Sequence, residues 1–293
     1  MSFSSEIKED LSKINNLNNK EIIKYELMGY LISSNTRFVN KSKIKFTTES
    51  EYNINRFSRL LSNFNMNHNI ELQGKNYIIK FNTCNVQNIV NIDIENKKIT
   101  LLEIPNKEEN IKSFVKGVFL GSGLVSSSKG KYHLELAFTD EQNMNDMLQI
   151  LKVYGIEAKI LLKKRAFSLY LKESESISTF LALIGANKAV IKFEEMRVMK
   201  QISNNVNRLV NCETANLHKT VQAAVVEQEA IRKIEKYGKF EELSDQLKEI
   251  ALLRKEHPDA SLVELGSMLE NPIGKSGVNH RLKKIVQIAD ELK

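Results

Sequence analysis

The sequence predicts an α+β fold in two parts: a duplicated, pseudo-twofold N-terminal domain and an all-α C-terminal domain. Three observations predict it. "EIIKYELMGYLISSNTRFV" pairs with "NIKSFVKGVFLGSGLVSSS", which sets Gly29 against Gly117 at a period of about 88 residues. Behind each apolar helix stands a strand-like run, "KSKIKFTT" and then "KYHLELAF"; in the second the alternation of "HLELAF" is strong, as in a half-buried strand. From about residue 190 the strand patterns stop and helical spacing takes over.

Residues 1–19 form an N-terminal helix or arm. The duplicated domain spans 20–190, with repeats at about 20–105 and 108–190. Each repeat reads helix, two strands, helix, two strands, helix. The middle helices start near Ser50 and Asp140, both suited to N-cap positions. The later strands are clearest in the second copy, in "IEAKILLK" and "AFSLYLK", and "SESISTFLALIGA" is its closing helix. A period this long is not that of a solenoid, so two copies imply one pseudo-twofold domain. Residues 191–213 are polar, Asn-rich and partly helical, an ordered linker or connecting helix. Residues 214–293 are helical: "TVQAAVVEQEAIRKIEKYG" stops at Gly238, a good C-cap, and "EELSDQLKEIALLRKEH" stops before Pro258.

A hydrophobic content of 42% and a charged content of 27% suit a globular chain with a sizeable core. The net charge of +7 and pI near 9.1 favour an anionic partner, nucleic acid or a membrane surface. Cys84 and Cys212 stand far apart, which argues against a disulfide framework or a zinc knuckle. The five histidines are scattered. No cofactor and no metal site is expected. The N-terminus lacks an apolar signal core, and no apolar run reaches about 18 residues, so no membrane span is expected. The expected compartment is the cytoplasm.

"PDASLVELGSMLENPIGKSGVNHRLKKIVQIAD", at about 260–290, has the arrangement of a helix-turn-helix. Asp259 or Ser261 caps its first helix, whose buried stripe is Leu262, Leu265 and Leu269. Gly266 is small enough for a close crossing. In the turn "ENPIG", Pro272 stops continuation and Gly274 supplies unusual dihedrals. The second helix buries Val278, Leu282, Ile285 and Ala289 at helical spacing. Around its exposed turns lie Lys275, Ser276, Asn279, His280 and Lys283, flanked by Arg281 and Lys284. Cations suit phosphates, and Asn or Arg suits base edges. A solvated basic face is the plainer reading; turn, spacing and face together favour contact with double-stranded DNA.

The paired helices resemble those of the LAGLIDADG homing endonucleases. Gly29 with Ser33, and Gly117 with Gly121, give the small-xxx-small spacing that lets two such helices pack closely. The resemblance implies a saddle of antiparallel strands that lies in the major groove, and one acid near the end of each helix to hold metal. Aligned on that motif, "GYLISSNTR" and "GVFLGSGLV" place Ser34 and Ser122 at the acid positions. A hydroxyl is a poor sole ligand for a divalent ion, so the scaffold is expected without the chemistry. Through "FVKGVFLGSGLVSS", "NRLVNCETANLHKT" and "GKSGVNHRLKKI" the whole chain resembles the WhiA family, a degenerate LAGLIDADG domain joined to a helix-turn-helix. That resemblance implies a nucleoid-associated transcriptional regulator with roles in cell division, chromosome segregation and, in some lineages, sporulation. It also allows division or segregation proteins as partners.

Other residues carry weaker signals. Asp140 and Glu141 read as a helix cap rather than a catalytic pair. Lys163, Lys164 and Arg165 sit in a hairpin where they either touch phosphates or form a soluble turn. Arg208 and Lys219 lie in the stretch "NRLVNCETANLHK" and either pack the domains or touch DNA. Asn207, Asn211 and Asn216 read as caps and turn formers. Two alternatives stand beside a DNA-binding regulator: an interaction scaffold built on the duplicated domain, and an endonuclease with unconventional ligands, against which Ser34 and Ser122 argue.

Overall fold

In a computed structural model that describes residues 2–14, 17–128, 131–163 and 166–292, the chain divides into two compact units, Met1–Lys200 and Gln201–Lys293. The first unit begins with α1 (Phe3–Lys13) and α2 (Lys20–Ile32). There follow β1 (Thr36–Phe38), β2 (Lys43–Thr48), α3 (Glu51–Asn63), β3 (Asn69–Gln73) and β4 (Asn76–Asn82). These four strands form an antiparallel sheet in the order β1-β2-β4-β3. A 3-10 turn (Thr83–Val86) and a hairpin, β5 (Val90–Asp93) with β6 (Lys98–Leu101), close the repeat. The second repeat supplies α4 (Glu108–Ser122), β7 (Leu124–Ser128), β8 (Lys131–Phe138), α5 (Glu141–Val153), β9 (Lys159–Lys163) and β10 (Ala166–Leu171). Its sheet has the same order, β7-β8-β10-β9, and α6 (Ser174–Leu183) ends it.

The repeats therefore share one topology up to their last element. There the first departs from expectation, ending in a hairpin instead of a helix. The cause is visible in "VNIDIENKKITL": Val90 and Ile92 alternate with Asn91 and Asp93, a period of two. Lys97, at φ 53, lies between the strands that Asp93 and Lys98 pair.

Glycine sets how close the central helices come. A Cβ at Gly29 would stand 2.3 Å from the Phe114 carbonyl oxygen, and one at Gly117 would stand 2.1 Å from that of Glu26. Each obstacle lies three residues before the partner glycine, as a twofold relation between α2 and α4 requires. Ser50 and Asp140 cap α3 and α5, accepting from the amides of Asn53 and Gln142. Asp140 also pairs with Lys98 at 3.1 Å, which makes it structural.

Between the sheets and helices lies one large apolar core. Tyr30, Phe46, Phe57 and Phe81 pack ring on ring in the first repeat, and Phe119 meets Phe180 in the second. Two buried asparagines tie the halves together. Asn53 donates to the Leu120 carbonyl at 2.9 Å and accepts the Tyr30 hydroxyl at 2.5 Å; Asn143 donates to the Ile99 carbonyl at 2.7 Å. Each occupies the third position of its helix, an equivalence of the kind duplication produces.

α7 (Asn187–Lys236) is a single helix of 50 residues. Asn207, Asn211 and Asn216 lie inside it and are exposed, so they are neither caps nor turn formers as the sequence suggested. The helix runs through them despite their turn propensity, at a cost of roughly 0.6 kcal/mol each relative to Ala. Gly238, at φ 69, ends the helix as expected. In the second unit α8 (Asp245–Glu256), α9 (Leu262–Met268) and α10 (Lys275–Glu291) follow. Their core joins Ile231 and Ile234 of α7 to Leu247, Ile250, Leu265, Leu282 and Ile285. The pair Arg254–Glu227, 2.9 Å apart and largely buried, fastens α8 to α7.

Candidate nucleic-acid interface

The helix-turn-helix begins with Ser261, not Asp259. Its side chain accepts from the Glu264 amide while Glu264 reaches back to the Ser261 amide at 2.7 Å, a reciprocal capping box. Gly266 is required where the turn folds back: a Cβ there would stand 2.3 Å from the Ile273 carbonyl oxygen. The Ile273 amide donates to the Gly266 carbonyl at 3.2 Å and fixes the turn. Gly274 is the N-cap of α10 at φ -71 and ψ 165, with open space around its α-carbon. Any residue adopts that backbone, so the unusual dihedrals expected at Gly274 are absent; an extended N-cap sets the turn instead.

α10 buries Val278, Leu282, Ile285 and Ala289, the stripe read from spacing. That burial leaves Lys275, Ser276, His280, Lys283 and Lys284 exposed, with Asn279 and Arg281 half-buried at their flanks. From Asn271 to Ala289 the sequence holds no carboxylate, so the exposed cations of the helix meet no local counter-charge. Its N-terminal amides add partial positive charge at the same end. Such a face can hold phosphates with its cations and present an amide and an imidazole to base edges.

In the first unit the ends of α2 and α4 converge on one atom. The Ala137 carbonyl oxygen of β8 accepts the Ser34 amide at 2.9 Å and the Ser122 hydroxyl at 2.6 Å. The Ser122 oxygen in turn accepts the Ala137 amide at 3.3 Å. Asn35 donates across to the Gly121 carbonyl at 2.7 Å. The two acid positions thus hold uncharged serines, with the Ser122 hydroxyl and the Ser34 amide both spent on the Ala137 carbonyl. Among the described residues no group of three or more His, Cys, Asp or Glu side chains comes together as a metal cage.

Two features escaped the sequence reading. The first is a buried charge cluster on α2, α3 and α4. Arg56 forms a bidentate pair with Glu26, its Nη2 2.8 Å from Oε2, and Lys116 Nζ lies 2.7 Å from the same oxygen. Burial pushes the Glu26 carboxyl up, but bonds and charge from Arg56 and Lys116 outweigh it and hold the group below the usual carboxylate range. The signal was present: Glu26 in "YELMGY" and Lys116 in "FVKGVF" are lone charges in apolar helices, and a buried charge needs a partner. The second is the outward face of the first sheet. Arg37, Lys45 and Lys80 adjoin across β1, β2 and β4, with Lys43 beside them. Lys80 is paired with Glu71 at 2.7 Å. The alternation in "KSKIKFTT" already placed both lysines of β2 opposite Ile44 and Phe46.

The remaining sequence candidates are less gathered. Lys163 ends β9, with its side chain outside the described residues; Lys164 and Arg165 lie outside them altogether. Arg208 lies within α7 and is exposed.

Two family models match in succession: the WhiA LAGLIDADG-like domain over residues 111–203 and the WhiA C-terminal HTH domain over residues 206–289. The probable cell division protein WhiA of Clostridium novyi (strain NT) is 37% identical over 317 residues, covering 100% of this chain and 99% of its own length. The chain belongs to the WhiA family. A second WhiA relative, from Clostridium beijerinckii, is 36% identical with the same coverage. Among solved structures, full-length DUF199/WhiA from Thermatoga maritima is similar at TM-score 0.62 and 26% identity, covering 100% of this chain and 99% of that one. The N-terminal LAGLIDADG domain of DUF199/WhiA matches the fold at TM-score 0.53 and 22% identity, over 63% of this chain and 90% of that one. Membership in WhiA confirms the fold class read from the duplicated helices and the C-terminal helix pair. No helix of the described residues is long and apolar enough to cross a membrane.

Proposed function

We propose that this chain is a DNA-binding regulator without nuclease activity, acting in bacterial cell division. The carrying observation is α10: four cations, an asparagine and a histidine stand around a helix whose opposite stripe is buried, with no carboxylate on its length before Asp290. Lys275, Ser276 and Lys283 hold phosphates, Arg281 and Lys284 reach them from the flanks, and Asn279 and His280 face base edges. The helix-turn-helix of the family model supports the reading, and the name of the curated relatives supports the cellular role. Chromosome segregation, transcriptional control and sporulation are finer readings of the same activity, with division or segregation proteins as partners and the nucleoid as its place.

The first unit contributes scaffold and a secondary surface. Ser34, whose amide bonds the Ala137 carbonyl, and Ser122, whose hydroxyl bonds the same oxygen, offer no carboxylate clamp for phosphodiester cleavage. The outward cations Arg37, Lys43 and Lys45 support a second contact with duplex phosphates, and the sequence offers Lys163, Lys164 and Arg165 of the second repeat as further candidates for it.

The test is binding of mixed-sequence duplex DNA by the full chain across a salt series. Phosphate contacts make affinity fall steeply as salt rises, and Lys275→Ala with Arg281→Ala and Lys283→Ala reduces both the affinity and the slope. Unchanged binding by that variant rejects α10 as the DNA-contacting element.

A further inference from the structure

The middle of α7 presents a second polar surface. Residues 201–223 are exposed along their whole length. Asn204, Asn207, Arg208, Asn211, His218 and Lys219 recur at spacings of three, four and seven and share one side of the helix. Between Glu195 and Glu227 the only carboxylate is Glu213. Standing two residues from Asn211, it points to another side. Among the described residues, Arg208 and Lys219 form no ion pair. Ile202, Val206, Leu209 and Leu217 lie toward the opposite face.

This arrangement needs a cause. Asparagine disfavours a helix interior, and Asn204, Asn207 and Asn211 compensate with no cap, turn or side-chain bond among the described residues. Solvation alone is served as well by Lys, Glu or Gln, which favour the helix. Amides interleaved with cations and free of carboxylates match what a groove of duplex DNA offers: base edges that accept and donate, flanked by phosphates. The major groove is wide enough to admit an α-helix.

We propose that residues 204–219 of α7 form a second DNA-contacting helix, with Arg208 and Lys219 on phosphates and Asn207 and Asn211 on base edges. The proposal rests on the chain being a DNA-binding protein. An acidic protein partner fits the cations and leaves the asparagines unexplained.

Three full-length variants test it: Asn207→Ala with Asn211→Ala, Arg208→Ala with Lys219→Ala, and the recognition-helix variant Lys275→Ala with Arg281→Ala and Lys283→Ala. Alanine favours the helix, so circular dichroism shows equal or greater helicity in the first two, which removes misfolding as an explanation. On a mixed-sequence duplex, the Arg208/Lys219 variant lowers the salt slope by roughly one for each phosphate no longer neutralised. In selection from a random duplex library, the Asn207/Asn211 variant loses on the order of tenfold discrimination at one or two positions while keeping its salt slope. If both α7 variants bind and select as wild type while the recognition-helix variant fails, the α7 proposal is overturned and the DNA-binding reading stands. A wild-type chain that retains no duplex at low salt overturns both.

Discussion

Ser34 and Ser122 share an acceptor: the amide of one and the hydroxyl of the other both reach the Ala137 carbonyl oxygen. A carboxylate at position 122 has no proton to donate there and would face that oxygen instead. Ser34→Asp with Ser122→Asp should therefore lower stability by about 1–3 kcal/mol and leave supercoiled plasmid intact in the presence of magnesium. Nicking by the double variant, absent in wild type, would show that the site needs only its acids.

Close approach of the central helices rests on two glycines. Gly117→Ala places a Cβ against the Glu26 backbone and Gly29→Ala places one against Phe114, and backbone cannot rotate aside. Either change should cost more than about 3 kcal/mol, beyond the usual range of roughly 1–3 kcal/mol for overpacking. Denaturant midpoints measure it. A change under about 1 kcal/mol would mean that the helices part easily.

The Glu26–Arg56–Lys116 cluster predicts both a mutational and a pH effect. Glu26→Gln leaves two buried cations without a charge partner and should cost about 3–5 kcal/mol. Because the folded carboxyl is held below its ordinary value of 4.5, its contribution is complete above that pH and is lost as pH falls through the depressed value. Thermal melts of wild type and Glu26→Gln should converge as pH drops below about 4.5. Parallel curves down to strong acid would contradict the pairing.

Position 274 offers a gain. Its backbone is extended and its surroundings are open, so Gly274→Ser should cap α10 and restrict the unfolded chain, adding roughly 0.5–1 kcal/mol. A rise in melting temperature without loss of DNA affinity is expected; a fall would indicate a contact that glycine alone permits.

Much of this architecture could be read from residues. Duplication showed in glycines and in strand alternation, because both reflect short-range rules of period and size. The stripe Val278, Leu282, Ile285 and Ala289 was legible for the same reason, and it fixes where Lys275 and Lys283 point. What was hidden depends on partners distant in sequence. Glu26 meets Arg56 and Lys116 only after three helices pack. Asn207 and Asn211 look like turn formers by propensity, yet they lie inside a 50-residue helix. The closing hairpin of the first repeat shows in the alternation of Val90, Asn91, Ile92 and Asp93, and was masked by the expectation that both repeats end in the helix of the second.

The most direct test is one gel in which the full chain, duplex DNA and magnesium are incubated together, and bound and cut fractions are read from the same lane. Wild type should give a shifted, uncut duplex that salt dissociates, and the Lys275/Arg281/Lys283 alanine variant should leave the duplex free and uncut. Cleaved product in the wild-type lane, or an equal shift with the variant, would contradict a non-cleaving protein that grips DNA through α10.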